Sequence, residues 1–92
     1  MIKSFKCKDT EALFEGKRVT KWVNIASVAM RKLQQVNAAT NLDFLRVPPG
    51  NKLEALMGDR IHYWSIRVNN QFRVCFRFED GHAFDVEIID YH

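Results

Sequence analysis

The sequence predicts an α+β domain, and three observations carry that reading. From about Thr20 to Ala38 the apolar residues recur at helical spacing. From Gln71 to Phe78 they alternate without a break, Phe72, Val74, Phe76 and Phe78 on one side and Gln71, Arg73, Cys75 and Arg77 on the other. After Glu79-Asp80-Gly81 a second alternation sets His82, Phe84, Val86 and Ile88 against Ala83, Asp85, Glu87 and Ile89. Period-two patterns of this length mark strands with one buried face. Helical signals come first and hairpins last, the order of an α+β chain.

Each element has a local reason. Ile2-Lys3-Ser4-Phe5-Lys6 roughly alternates and reads as an edge strand. Asp9 or Thr10 caps a brief helix through Glu15, with Glu11 in the first turn, where a carboxylate suits the helix dipole, and Gly16 ends it. In the main helix Trp22, Ala26, Ala29, Met30, Leu33 and Val36 form one apolar stripe, and Lys17, Lys21, Arg31, Lys32, Gln34 and Gln35 lie off it. Asn37 to Asn41 is a polar break, and Leu42-Asp43-Phe44-Leu45 fits one helical turn. Arg46 to Asn51 contains Pro48-Pro49-Gly50 and cannot be regular structure, since each proline fixes its own φ and restricts the residue before it. A rigid loop there holds Arg46, Asn51 and Lys52 at defined places. Lys52 to Met57 suits a short strand closed by Gly58-Asp59, and Ile61 to Val68 a longer one with His62, Trp64, Ile66 and Val68 on one face.

Hairpin register follows from the two faces. A two-residue loop at Asn69-Asn70 would pair Val68 with Gln71 and set an apolar face beside a polar one. A three-residue loop pairs Arg67 with Gln71 and removes the conflict, with Asn69 or Asn70 in the left-handed position. The same logic sets Phe78 opposite His82, with Gly81 left-handed. The expected rows on the polar face are then Tyr63, Cys75 and Asp85; Ser65, Arg73 and Glu87; Arg67, Gln71 and Ile89. An arginine beside a glutamate in such a row is either a cross-strand ion pair or a guanidinium held for an anionic ligand.

Composition narrows the class. Ninety-two residues, 47% hydrophobic and 27% charged, make a single domain over 1–92 with one modest core. No apolar run approaches the roughly 20 residues that span a bilayer, and Met1 to Lys6 shows no secretory pattern. Cys7 and Cys75 stand far apart with no CxxC spacing, which suits buried thiols in a reducing cytoplasm. The net charge is +3, but it is uneven. Residues 1–60 carry 11 Lys and Arg against 6 Asp and Glu, and residues 61–92 carry 3 against 5. A basic stripe suits a phosphate backbone, although an excess this small also fits a solvated helix face.

The chemical inventory is short. His62, His82, His92, Cys7 and Cys75 show no metal-ligand spacing, so no metal or cofactor is expected. His62 falls on the apolar face, as a core or rim histidine, and His82 in a turn. The proline loop lacks the phosphate-cradling glycine pattern. What remains is the polar sheet face with Arg67, Arg73 and Arg77, the terminal Asp90-Tyr91-His92, and loop cations Arg46, Lys52 and Arg60. That set fits RNA cleavage without a metal. The reaction needs a base for the 2′-OH, a cation for the pentavalent phosphate and an acid for the 5′-oxygen. Histidine titrates in the right range, and Tyr63, Trp64 or Tyr91 can stack an unpaired base. From the residues alone a plain binding domain is the simpler reading.

A resemblance sharpens this. Val47-Pro48-Pro49-Gly50-Asn51-Lys52-Leu53-Glu54-Ala55-Leu56, Gly58-Asp59-Arg60, Tyr63 to Asn69, Phe72 to Phe78 and Asp85 to His92 together resemble the HigB branch of the RelE superfamily, in its HigB/GraT type. Met1 to Phe5, Arg31 to Gln34 and Asn37 to Thr40 fit the same branch, so the resemblance covers nearly the whole chain. It implies a RelE-like, microbial ribonuclease-type α+β fold, two N-terminal helices packed on a twisted, mostly antiparallel sheet. It also implies a toxin of a type II toxin–antitoxin system that cleaves mRNA in the ribosomal A site. The implied partners are a HigA-type helix-turn-helix antitoxin and the ribosome, with operator DNA reached only through the antitoxin complex. The matching catalytic positions are Arg73 for the scissile phosphate, His92 for proton transfer, and Tyr91 and Asp90 to position His92 or stack on substrate. Lys52, Arg60, Glu54 and Arg67 are expected to contact RNA or the ribosome. Two positions depart from part of the family: Glu54 replaces a histidine and Met57 a lysine. Glu54 can still act as a base, whereas Met57 cannot stabilise phosphate charge. Weak cleavage, or a binding module of the same fold that has lost catalysis, is therefore the competing reading.

Overall fold

Helical stripe and strand alternation sort into two layers. The structure, a computed structural model, describes residues 1–58 and 62–91. The helices are α1 (Lys8–Phe14) and α2 (Ala26–Ala38), with short 3₁₀ turns at Thr20–Trp22, Leu42–Arg46 and Pro49–Asn51. The strands are β1 (Glu54–Ala55), β2 (Tyr63–Arg67), β3 (Phe72–Glu79) and β4 (His82–Asp90). They form one antiparallel sheet in the order β1-β2-β3-β4. The expected N-terminal edge strand is reduced to two parallel bridges, Ile2 to Ala83 and Phe5 to Val86, along the outer edge of β4. No helix among the described residues is long and apolar enough to cross a membrane.

The core lies between the helices and one sheet face. Ala29, Leu33 and Val36 of α2 meet Ile66, Val74, Phe76 and Val86, all without exposed area. The main helix starts later than its periodicity predicts, because Val19, Thr20, Val23, Asn24 and Ile25 are poor helix formers. Thr20–Trp22 takes a 3₁₀ turn instead, and Trp22 and Ile25 are still buried. In α1 the predicted caps Asp9 and Thr10 lie inside the first turn, and Cys7 is the N-cap. Thr10 is drawn inward, where its Oγ1 accepts from the Ile88 amide at 3.0 Å. Gly16 ends α1 at φ 88°, as expected. His62 is exposed rather than on the core rim.

Both hairpins change register; the first keeps its predicted faces, whereas in the second Ala83 and Phe84 exchange theirs. The first pairs Arg67 with Arg73 and Ser65 with Cys75. Its loop is three residues long but sits one position later, at Asn69 to Gln71, with the Val68 amide donating to the Phe72 carbonyl at 3.0 Å. Neither asparagine is left-handed. The Asn69 side chain instead accepts from the amides of Gln71 and Phe72, both at 2.8 Å, and so closes the turn itself. The second hairpin pairs Glu79 with His82 around Asp80-Gly81, both at positive φ (50° and 79°), a two-residue turn.

That turn would put the wrong face of β4 on the core, and a bulge corrects it. Arg77 pairs with Phe84 and Cys75 with Glu87, so β4 carries one extra residue between them. Asp85 takes the strained position at φ 55°. Its amide leaves the ladder and donates to Ser4 Oγ at 2.8 Å. Beyond the bulge Val86 and Ile88 face the core, while before it Ala83 is buried and Phe84 points to the polar face. The rows on that face are therefore Tyr63, Arg77 and Phe84; Ser65, Cys75 and Glu87; Arg67, Arg73 and Ile89.

Candidate active site

Arg73 projects from β3 on the face away from the helices and is only 6% exposed. Its Nε donates to Ser65 Oγ at 2.8 Å, and Nη2 donates to the Lys52 carbonyl at 2.6 Å and to the Ser65 carbonyl at 3.3 Å. All three acceptors are neutral. The expected Glu87 neighbour lies in the next row, and Lys6 Nζ stands 3.8 Å from its carboxylate. Among the described residues no carboxylate forms an ion pair with Arg73. A guanidinium oriented by neutral oxygens keeps its full charge for an incoming anion. The Tyr91 ring lies over it, 5.4 Å from Cζ to ring centroid, and is half exposed.

The proline loop supplies one of those acceptors. Lys52 is left-handed at φ 46°, its side chain exposed and its carbonyl turned to Arg73. Asn51, fully buried, holds the loop: Nδ2 donates to Gln35 Oε1, the Leu45 carbonyl and the Val47 carbonyl, at 2.9, 3.1 and 3.5 Å. Its Oδ1 accepts from Lys32 Nζ at 2.6 Å. Lys32, read as off the apolar stripe, is thus buried, and desolvation holds its ammonium below the ordinary lysine value, with the Arg31 charge adding to the effect.

Other candidates scatter around this centre. Glu54 on β1 is exposed and pairs with Ser65, which puts it on the Arg73 face. Arg67 Nη2 donates to Asn70 Oδ1. Asp90 lies with Lys21, Trp22, Phe72 and Ile88 around a hollow on the helix side, so it does not share a face with Arg73. Its Oδ2 accepts from Gln71 Nε2 at 3.0 Å, and the next residue's amide donates to the Gln71 carbonyl at 2.5 Å. Those bonds tie down the strand end that carries Tyr91. Met57 is 89% exposed. Arg46 pairs with Asp43, Nε to Oδ1 3.0 Å. His92 and Arg60 lie outside the described residues.

The other end of the same face is neutralised. Arg77 Nη1 stands 2.6 Å from Glu79 and its Nε 3.6 Å from Asp85, and its Cζ lies 4.6 Å from the Phe84 ring. Tyr63 donates to Asp85 at 2.9 Å, and that bond raises the phenol's pKa above its ordinary value. Among the described residues no three His, Cys, Asp or Glu converge as metal ligands would. The sequence reading sets Ser65 in one row with Arg73 and Asn51 in the rigid loop without giving either a role at the site, and it misses Lys32. Ser65 was visible as the one small polar residue in its row, but a buried lysine carries no sequence signal.

Comparison with known proteins gives the family and the fold. "Endoribonuclease HigB" of Proteus vulgaris is 42% identical over 94 aligned residues, covering all of both chains. "Toxin HigB-1" of Vibrio cholerae serotype O1 is 37% identical, covering 92% of each chain. Among solved structures the YoeB-YefM complex from Staphylococcus aureus matches with TM-score 0.64 at 18% identity, covering 100% of this chain and 95% of that one. YafQ from E. coli strain BL21(DE3) matches with TM-score 0.56 at 17% identity, covering 98% and 91%. These two likenesses show the fold. The profile of the family described as "RelE-like toxin of type II toxin-antitoxin system HigB" matches residues 3–92, and the chain belongs to that family.

Proposed function

We propose that this toxin is an endoribonuclease that cuts message presented in the ribosomal A site, with Arg73 and His92 as its principal catalytic residues. One observation carries the reading: Arg73 is buried, held by neutral oxygens, and covered by Tyr91, the residue before His92. Cleavage begins when the 2′-oxygen attacks the adjacent phosphorus. The O2′–P bond forms, the P–O5′ bond breaks, and the products are a 2′,3′-cyclic phosphate and a 5′-hydroxyl. Charge builds on the non-bridging oxygens in the transition state, and the guanidinium opposes it without reorganising. His92 moves a proton, to the leaving 5′-oxygen or from the 2′-OH, and Glu54, on the Arg73 face, is the candidate for the complementary transfer. Tyr91 stacks on a base or keeps water from Arg73. Asp90 acts indirectly, through Gln71, by fixing the strand end. Lys52, Arg60 and Arg67 supply cations for phosphates on either side.

The partner of a toxin of this family is an antitoxin; the finer reading is a HigA-type helix-turn-helix protein, through which the pair meets operator DNA. Such an antitoxin and the ribosome as partners fit a working site in the cytoplasm. The test is primer extension on a message in a translating extract, with naked message as control. Wild type should give discrete cuts only in translated message, and His92→Ala should lose them. Cuts that survive His92→Ala would remove its proton-transfer role. Folded, antitoxin-free protein that gives no cuts would favour the binding-module reading, for which the exposed Met57 is the supporting observation.

A further inference from the structure

A chain of buried polar contacts leads from α2 to the site. Lys32 Nζ holds Asn51 Oδ1 at 2.6 Å, and Asn51 also anchors to Gln35 and to two loop carbonyls. The next residue, Lys52, is left-handed, and its carbonyl receives Arg73 Nη2 at 2.6 Å. The Asn51 side chain therefore uses both amide hydrogens and its oxygen in a fully buried position, where an unmade bond is costly. Asparagine suits this junction because it donates on one side and accepts on the other. Aspartate would set a carboxylate against the carbonyls of Leu45 and Val47. Leucine, of similar size, would leave the Lys32 ammonium buried without its acceptor.

We propose that Asn51, oriented by Lys32, is a positioning residue that aims the Arg73 guanidinium by fixing the Lys52 carbonyl. The proposal rests on Arg73 being the phosphate-binding group, but its geometric half is measurable without any reaction. The loop has no strand ladder of its own: its backbone bonds run within the turn, from Asn51 to Pro48 and from Lys52 to Pro49. Its position relative to β3 thus depends on the Asn51 side chain. A shift of about 1 Å in such a contact is enough to cost a catalytic step on the order of a hundredfold.

The experiment compares Asn51→Ala, Lys32→Met and Lys32→Arg with Leu13→Ala, a truncation of a buried α1 residue that lowers stability outside the relay. The first readout is the Arg73 Nε–H resonance of the purified toxin, whose exchange with water reports the bond to Ser65. The second is single-turnover cleavage with saturating toxin, on whichever of naked and ribosome-presented message the wild type cuts. Asn51→Ala and Lys32→Met should speed Nε–H exchange and slow the cleavage step with little change in half-saturating toxin concentration. Lys32→Arg, which keeps a donor, should recover part of both, and Leu13→Ala should change neither. Should Asn51→Ala not fold, Gln35→Ala removes one Asn51 contact from a half-buried helix position and should act in the same direction. Unchanged exchange and cleavage in folded Asn51 or Gln35 variants, or equal changes in Leu13→Ala, would overturn the relay. If exchange changes as expected but Arg73→Ala itself cuts normally, the relay stands and the catalytic role of Arg73 falls.

Discussion

Arg73 and Arg77 lie two pleat repeats apart on β3, on the same face with Cys75 between them, yet they meet opposite surroundings. Arg73 is buried among a hydroxyl and two carbonyls, with an aromatic ring above it. Arg77 is more exposed and shares its charge with Glu79 and Asp85 while lying against Phe84. Residue type does not separate them, and neither does strand alternation. The separation comes from what the neighbouring elements deliver: the proline loop brings a carbonyl to Arg73, and the β4 bulge brings a carboxylate to Arg77. A cation held by neutral acceptors remains available to a phosphate, whereas one held by carboxylates is already spent on structure.

The largest expected effect breaks the comparison at Arg73. Arg73→Ala should lower the cleavage step by about 100- to 1000-fold, the scale of removing one preorganised electrostatic group. Arg77→Ala, read in the same single-turnover assay, should change it at most a few-fold. Arg73→Lys keeps the charge but not the fork that spans Ser65 and Lys52, and it should recover only part of the loss. Comparable losses at both arginines would mean that the face acts through its total charge.

Tyr91 comes next. Its half-exposed ring over Arg73 serves both as a cation–π partner and as a stacking surface, together worth ~1–2 kcal/mol, so Tyr91→Ala should cost about tenfold. Tyr91→Phe should stay near wild type, because the ring and not the hydroxyl makes the contact. A loss in Tyr91→Phe equal to that in Tyr91→Ala would point to the hydroxyl as a proton donor. A gain is expected from Met57→Lys, where a side chain now 89% exposed and apolar would carry a charge. Cleavage or growth inhibition should rise several-fold, and no rise would show that the missing cation does not limit this toxin.

Legibility in the sequence ran out at identifiable places. The layers, the core stripe and the faces of β2 and β3 follow from periodicity, which alone sets Arg73 on the polar face. Register itself was not legible. Alternation fixes parity, so a shift of two residues at the first hairpin leaves every face unchanged and gives no warning. At the second hairpin the bulge at Asp85 inverted the parity once, and a bulge spoils the pattern by only one position. The proline loop was visible as rigid, but its role needed Lys32, a lysine buried against the expectation for its type. Glu87 was assigned to Arg73 by a register two residues off, and the true acceptors include backbone carbonyls, which have no sequence signature.

The smallest effect tests whether the Arg77 end is structural alone. Tyr63 donates to Asp85 at 2.9 Å, the bond that raises its pKa from the ordinary 10.0, with desolvation and the Asp85 charge adding to it. Tyr63→Phe should lose about 0.5–1 kcal/mol of stability at neutral pH, the net worth of one such hydrogen bond. The pH dependence has a defined sign. Below pH 10.0 both folded and unfolded tyrosine are protonated, and the contribution is complete. Above that value the unfolded chain ionises first while the folded one keeps its proton, so stability falls as pH rises through the folded pKa. Urea unfolding of wild type and Tyr63→Phe at neutral pH and above pH 10.0 should therefore show a gap that closes on the alkaline side. Cleavage at neutral pH should not change. A gap that widens with pH would contradict the hydrogen bond, and a marked loss of cleavage would make the two ends of the sheet face one site.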